Sequence, residues 1–227
     1  MLFFKHFLTL GLGALAIWGS PIAPVAEKSS RSIEGQSIGT LHGRAVPNVV
    51  PVLRWDNLGP GTQTNPTFTA KMSTGIVGAP THGDVAQYAQ KAYSSMMSQN
   101  PRQKNTHLIA ALYIPTTRSI YISSVPDGPG IGKIKGDGAT AAPAWWSQVN
   151  NRPTLALHAE DAAAFLYEQS LTNKLAAGAT YPAGSFIAVY GIVNGQNAQP
   201  VPPCSGGGNQ PLDPPCSTVL TNLGIGF

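Results

Sequence analysis

The sequence predicts an α/β protein in which helices cover both faces of a small mixed sheet, three layers in all (α/β/α). Three observations carry this. Residues 81–97 repeat apolar side chains at helical spacing. Residues 107–125 read as two strands joined by a tight turn. A further strand-like run, 185–190, lies between two more helical stretches. Helices alternating with a few strands pack on both sides of one sheet.

Composition sets the class. The chain has 227 residues, enough for one domain of ordinary size with tails and long loops. Hydrophobic residues make up 42%, which supports a core; charged residues are only 11%, with 25 glycines and 20 prolines. Charged residues usually make up about a quarter of a chain, so the profile is that of a loop-rich secreted protein. The formal net charge is +4, and the Lys and Arg residues are scattered rather than clustered. Such a balance permits binding of a polyanion without demanding it.

The N-terminus points to the compartment. Met1–His6 is short and carries Lys5, Phe7–Trp18 is an apolar run, and Gly19–Ala26 is rich in small residues. This is the pattern of a secretory signal peptide over 1–26, with an apolar run too short to span a bilayer. No later stretch has the length and apolarity for a span, so an exported product with no stable membrane association is expected. Residues 27–80 read as an irregular N-terminal extension with short strands, packed on the domain rather than folded alone, and 81–227 as the main domain.

Within that domain, Thr81–Met97 is a helix whose apolar face is Val85, Tyr88, Ala89, Ala92 and Met96, with Thr81 or Asp84 as its cap. His107–Ile114 is a nearly all-apolar strand, as expected of a central strand covered on both faces. Pro115–Arg118 makes the turn to a second strand, Ser119–Val125, with Ile120 and Ile122 on one face and Tyr121 on the other. Residues 126–153 read as a long Gly/Pro-rich loop carrying Trp145 and Trp146, which can either stack a base or pack onto the core. A helix then starts at His158 and runs to about Lys174, followed by the strand 185–190, a loop over 194–203, a short helix 216–223 and a stub of strand at 224–227.

The residues with chemical promise gather late in the chain. His158 and Glu160 stand two apart at a helix entrance, after an apolar lead-in. The two cysteines, Cys204 and Cys216, each follow a pair of prolines. One imidazole and two thiolates are three zinc ligands, with a fourth position left for water in a catalytic site. Glu160 is then a proton carrier rather than a ligand. The competing reading is a Cys204–Cys216 disulfide, the usual fate of two cysteines in an exported protein. Asp161 reads as a first-turn charge that suits the helix dipole. No Ser-His-Asp pattern, nucleophile elbow or phosphate loop is present.

The segment Leu157-His158-Ala159-Glu160, the Pro203–Cys204 step and Cys216–Ile225 together resemble the cytidine-deaminase-like superfamily, and most closely its secreted toxin-type branches. The helix–hairpin–helix–strand–helix order from Thr81 to Phe227 is similar as well, so the resemblance covers roughly two-thirds of the chain. It implies Zn2+ held by His158, Cys204 and Cys216. Glu160 would carry a proton from the attacking water to the ring nitrogen and then to the leaving ammonia. The backbone at Ala159 and the Pro203 carbonyl would hold the base edge. The expected substrate is nucleic acid or a nucleotide, cytosine first, with an immunity or inhibitor protein left unidentified. The family usually has two residues between its cysteines; this chain has eleven. Two alternatives stand beside this expectation: a non-enzymatic secreted module of the same fold with the cysteines oxidised, and a deaminase of free nucleosides or other small amines.

Overall fold

The computed structural model describes residues 46–47, 52–54, 67–99, 107–152, 156–204 and 214–227. All of them belong to one compact unit, 42–227. The expected signal peptide lies outside the described residues.

Six strands form one sheet: β1 (Val52–Arg54), β2 (Thr67–Ser73), β3 (His107–Ile114), β4 (Ser119–Ser124), β5 (Phe186–Ile192) and β6 (Gln199–Val201), in the order β1-β2-β4-β3-β5-β6. The hairpin forms as expected, with Ile114 opposite Ser119 and Arg118 in the left-handed region at the turn. That conformation is uncommon for a residue other than glycine. Here the Arg118 guanidinium holds it by donating to the carbonyls of Ile76 and Gly78. β3 is buried along almost its whole length between β4 and β5, which accounts for its unbroken apolar sequence.

Every strand pairs antiparallel with its neighbours. Among the described residues the expected mixed character is confined to one parallel bridge, Phe186 to Gly226, where the C-terminal stub meets β5. β4 and β5 both run antiparallel to β3 and therefore parallel to each other. A helical crossover joins them, as expected, with β3 lying in between.

Helix α1 (His82–Gln99) covers one face of the sheet. Its Val85, Tyr88, Ala89, Ala92 and Met96 pack with Ile109, Ala111, Ile120 and Ile122. Its entrance is doubly capped: Asp84 accepts from the backbone and hydroxyl of Thr81, and the Thr81 hydroxyl accepts from the Asp84 N–H. The other face carries α2 (Pro129–Ala141), α3 (Pro143–Val149), α4 (Ala159–Gln169) and α5 (Cys216–Asn222), packed on Ala110, Leu112, Tyr121, Ile187 and Val189. Three successive alanines, 162–164, lie buried in α4. The helix ends five residues short of the expected Lys174, whose ammonium donates to the carbonyls of Glu168, Gln169 and Leu171 and closes the C-terminus.

Two expectations need correction. Residues 126–153 are not one long loop, because α2 and α3 lie within them. Their glycines and prolines misled for physical reasons. Pro129 and Pro143 open helices, where a missing N–H costs nothing. Gly138 lies against the indole of Trp146 so closely that a Cβ there would clash with the ring. The second correction concerns 27–80. Thr67–Ser73 is a full strand between β1 and β4, so residue 81 does not mark the edge of the folded unit. Phe68, Ala70 and Met72 alternate toward α1, a strand period hidden within a Gly-, Thr- and Pro-rich stretch.

The start of α3 is capped from α4. The carboxylate of Glu168, fully buried, accepts from the backbone of Ala144 and Trp145 and from the hydroxyl of Tyr181. Removing it strands two amides in the core and leaves the Tyr181 hydroxyl only the Ala164 carbonyl. Glu168→Ala is therefore expected to lower unfolding free energy by about 3 kcal/mol, read as a fall in the urea midpoint.

Candidate metal centre

His158 sits just outside α4 in extended conformation, as its N-cap. Its backbone N–H donates to Asp161 Oδ2 at 2.9 Å, a bond that turns the chain from the apolar lead-in into the helix. Asp161 is thus a buried capping residue, and its part in the local structure is larger than a dipole charge. Cys216 is the first residue of α5, after the extended Pro215. The Cys216 N–H donates to Cys204 Sγ at 3.1 Å, and the Ser217 N–H donates to the Cys204 carbonyl at 3.0 Å. These two bonds hold Cys204 at the start of α5 despite the eleven intervening residues.

The three side chains converge. Cys216 Sγ stands 3.2 Å from His158 Nδ1, and the ligand atoms of His158, Cys204 and Cys216 all lie within 4.8 Å of one another. Tetrahedral nitrogen and sulfur ligands of a zinc ion stand about 3.5–3.8 Å apart, so small side-chain adjustments bring this set to metal-binding spacing. Both cysteines are free thiols, not a disulfide.

The protonation pattern suits a metal. The bond from the Cys216 thiol, with help from His158 and the Cys216 N–H, lowers the Cys204 thiol to about 4. The same bond with Cys204 pushes the Cys216 thiol up, and its burial adds to this. In the metal-free protein the pair therefore holds one thiolate and one proton, and a bound cation displaces that proton. Burial works to lower the His158 imidazole, but the contact with Cys204 and the carboxylates of Glu160 and Asp161 outweigh it, leaving the ring above its ordinary value.

Glu160 is 3% exposed, and its Oε2 has no hydrogen-bond partner among the described residues. Burial raises its carboxyl to about 7, against the opposing pull of His158. A buried acid with a free oxygen, titrating near neutrality and electrostatically coupled to two candidate ligands, is suited to moving a proton.

The remaining expected site residues divide. Ala159 is buried at the first position of α4, where backbone N–H groups have no acceptor within the helix. Pro203 is partly buried and precedes Cys204. Trp145 does not serve as a stacking platform: it is 0% exposed, packs against Phe165, and spends its indole N–H on Asp161 Oδ1 at 3.2 Å. Trp146 is partly buried with its ring against Gly138. Both indoles belong to the packing of α2 and α3. Arg152 was not singled out by its sequence context, yet it is 3% exposed and forms a 2.8 Å ion pair with Asp161. Little in the local sequence marks it, since its closest contacts are to residues nine and sixty-two positions away.

No family model matches the chain, and no curated protein or solved structure matches it either.

Proposed function

We propose that this chain is a zinc-dependent deaminase of cytidine-deaminase-like, three-layer α/β/α fold. It hydrolyses the exocyclic amine of a nucleobase, cytosine first, in nucleic acid or a nucleotide. It is exported and acts as an effector or toxin. The observation that carries this reading is the pairing of the His158–Cys204–Cys216 set with a buried, unpartnered Glu160 carboxylate at the same helix entrance. Two soft sulfurs and an imidazole nitrogen favour zinc among the common cations. The order α1, β3–β4, α4, β5, α5, interrupted by α2 and α3 after β4 and by β6 after β5, supports the helix–hairpin–helix–strand–helix order of the resemblance.

Zinc in such a site supplies Lewis-acid chemistry that makes water a nucleophile near neutral pH. The chain's own residues do the rest. Glu160 accepts a proton from the attacking water and delivers it to the ring nitrogen; it then accepts the proton left on the new hydroxyl and delivers it to the departing amine, which leaves as ammonia. Its carboxyl at about 7 allows both roles at neutral pH. The backbone at Ala159 and Pro203 holds the edge of the base. The burial of both the carboxylate and Cys216 keeps bulk water from competing for the proton.

The purified, reduced chain is expected to contain one zinc per molecule and to release ammonia from a cytosine-containing substrate. The assay compares single- and double-stranded DNA, RNA, nucleotide and free cytidine by C-to-U conversion. Stoichiometric zinc with activity on free cytidine alone moves the reading to a nucleoside deaminase. Absence of zinc together with absence of titratable thiols replaces it with the oxidised, non-enzymatic module.

A further inference from the structure

We infer that Arg152 is a positioning residue for the metal centre, a clamp that sets the distance between the His158-bearing and Cys216-bearing segments. The inference rests on the reading that His158, Cys204 and Cys216 hold zinc. These two ligands are fifty-eight residues apart in sequence, and each sits at the mouth of a different helix. One guanidinium bridges the two mouths. Nη1 donates to Asp161 Oδ2 at 2.8 Å, the same oxygen that accepts the His158 N–H. Nε donates to the carbonyl of Pro214 at 3.1 Å, two residues before Cys216. Nη1 also reaches the Ala156 carbonyl at 3.4 Å, in the lead-in to His158.

The far side of the clamp is braced. Asp161 Oδ1 accepts the Trp145 indole N–H, and the Trp145 backbone N–H is held by Glu168. The guanidinium is planar with donors in fixed directions, so gripping Asp161 and the Pro214 carbonyl together fixes an orientation as well as a distance. Stability alone is a poor account of this group. Arg152 is buried with its Nη2 unpartnered among the described residues, and replacing a buried ion pair with apolar side chains is often neutral or stabilising. Bonds to the segments that carry ligands are, by contrast, the usual means of tuning affinity at a metal site.

The test measures zinc affinity by chelator competition in Arg152→Lys and Arg152→Met, beside the wild type and the core variant Met96→Ala. Lysine keeps the charge and loses the fork; methionine keeps the stem and loses both. Each is expected to weaken zinc binding by about 10- to 100-fold, and the cobalt-substituted proteins are expected to show altered ligand-field bands. Met96→Ala leaves a cavity under α1, on the opposite face of the sheet, so it destabilises the fold and is expected to leave zinc affinity unchanged. Wild-type affinity in either folded Arg152 variant overturns the clamp. If neither variant folds, the Arg152 Nε–H resonance of the wild type decides. Slow exchange and a shift on zinc addition are expected, and a fast-exchanging, unshifted signal overturns the proposal. A wild type that binds no zinc removes the metal reading and the clamp with it; a wild type that binds zinc, with variants that bind equally well, removes only the clamp.

Discussion

Glu160→Gln is expected to lose nearly all turnover, a fall of about a hundredfold to ten-thousandfold, while keeping its zinc and its fold. The amide matches the carboxyl in size and hydrogen bonding but accepts no proton. Stability is expected to move the other way. Burial holds the Glu160 carboxyl at about 7, above its ordinary 4.5. The folded, metal-free protein therefore binds a proton between those values that the unfolded chain has already released. The contribution of the protonated group is complete below 4.5 and is lost as pH rises through about 7. At pH 8 the shift amounts to about 3 kcal/mol against the carboxylate, a penalty that glutamine does not carry. Denaturation of wild type and variant at pH 5 and pH 8 should show them similar at the lower pH, with the variant the more stable at the higher. An exposed first-turn acid would behave differently: its replacement would cost about 0.3–1 kcal/mol through the helix dipole and no activity. Full activity in Glu160→Gln removes the proposed mechanism.

Zinc binding is expected to disappear in His158→Ala, in Cys204→Ala and in Cys216→Ala, because three protein ligands are the usual complement of a catalytic zinc site. The loss is read by metal analysis after dialysis and by the thermal shift that added zinc produces. A ligand at a thousandfold excess over its dissociation constant stabilises the fold by about 4 kcal/mol. The wild type should show a clear upward shift, abolished by a chelator, and the variants none. Cys204→Ala is the most informative of the three. It stands twelve residues before Cys216 and is held at the site through the Cys216 and Ser217 N–H groups. Full zinc retention in that variant takes Cys204 out of the centre and leaves a two-residue site too sparse for the chemistry proposed.

Much of this was legible because it is local. The apolar face of α1 repeats at helical spacing, the β3–β4 hairpin is marked by its turn, and the apolar run of β5 needs no distant partner to be read. The candidate metal set was legible from residue type: a chain with only two cysteines, each after two prolines, and one His-x-Glu at a helix entrance. The bond that draws those cysteines to the imidazole belongs to the fold, since the separations in sequence do not dictate it.

What the tertiary structure decided are the places where a residue's role is set by a partner far along the chain. Gly138 signals a loop on its own and becomes a helix position because Trp146 fills the space beside it. The start of α3 has no cap of its own and takes one from Glu168. β2 becomes a strand of the main sheet by pairing with β4, some fifty residues later. Trp145 passes from candidate stacking surface to buried donor because Asp161 accepts its indole N–H. Arg152 has the same character, an isolated cation in sequence whose meaning lies in Asp161 and Pro214. Periodicity and residue chemistry act over a few residues, and so the sequence alone determined α1, α4, α5, the hairpin and the residue types of the candidate centre, but not α2 and α3. Burial of a charge or of an indole is decided only when distant segments meet, because only then is it known whether a partner replaces the water that is lost.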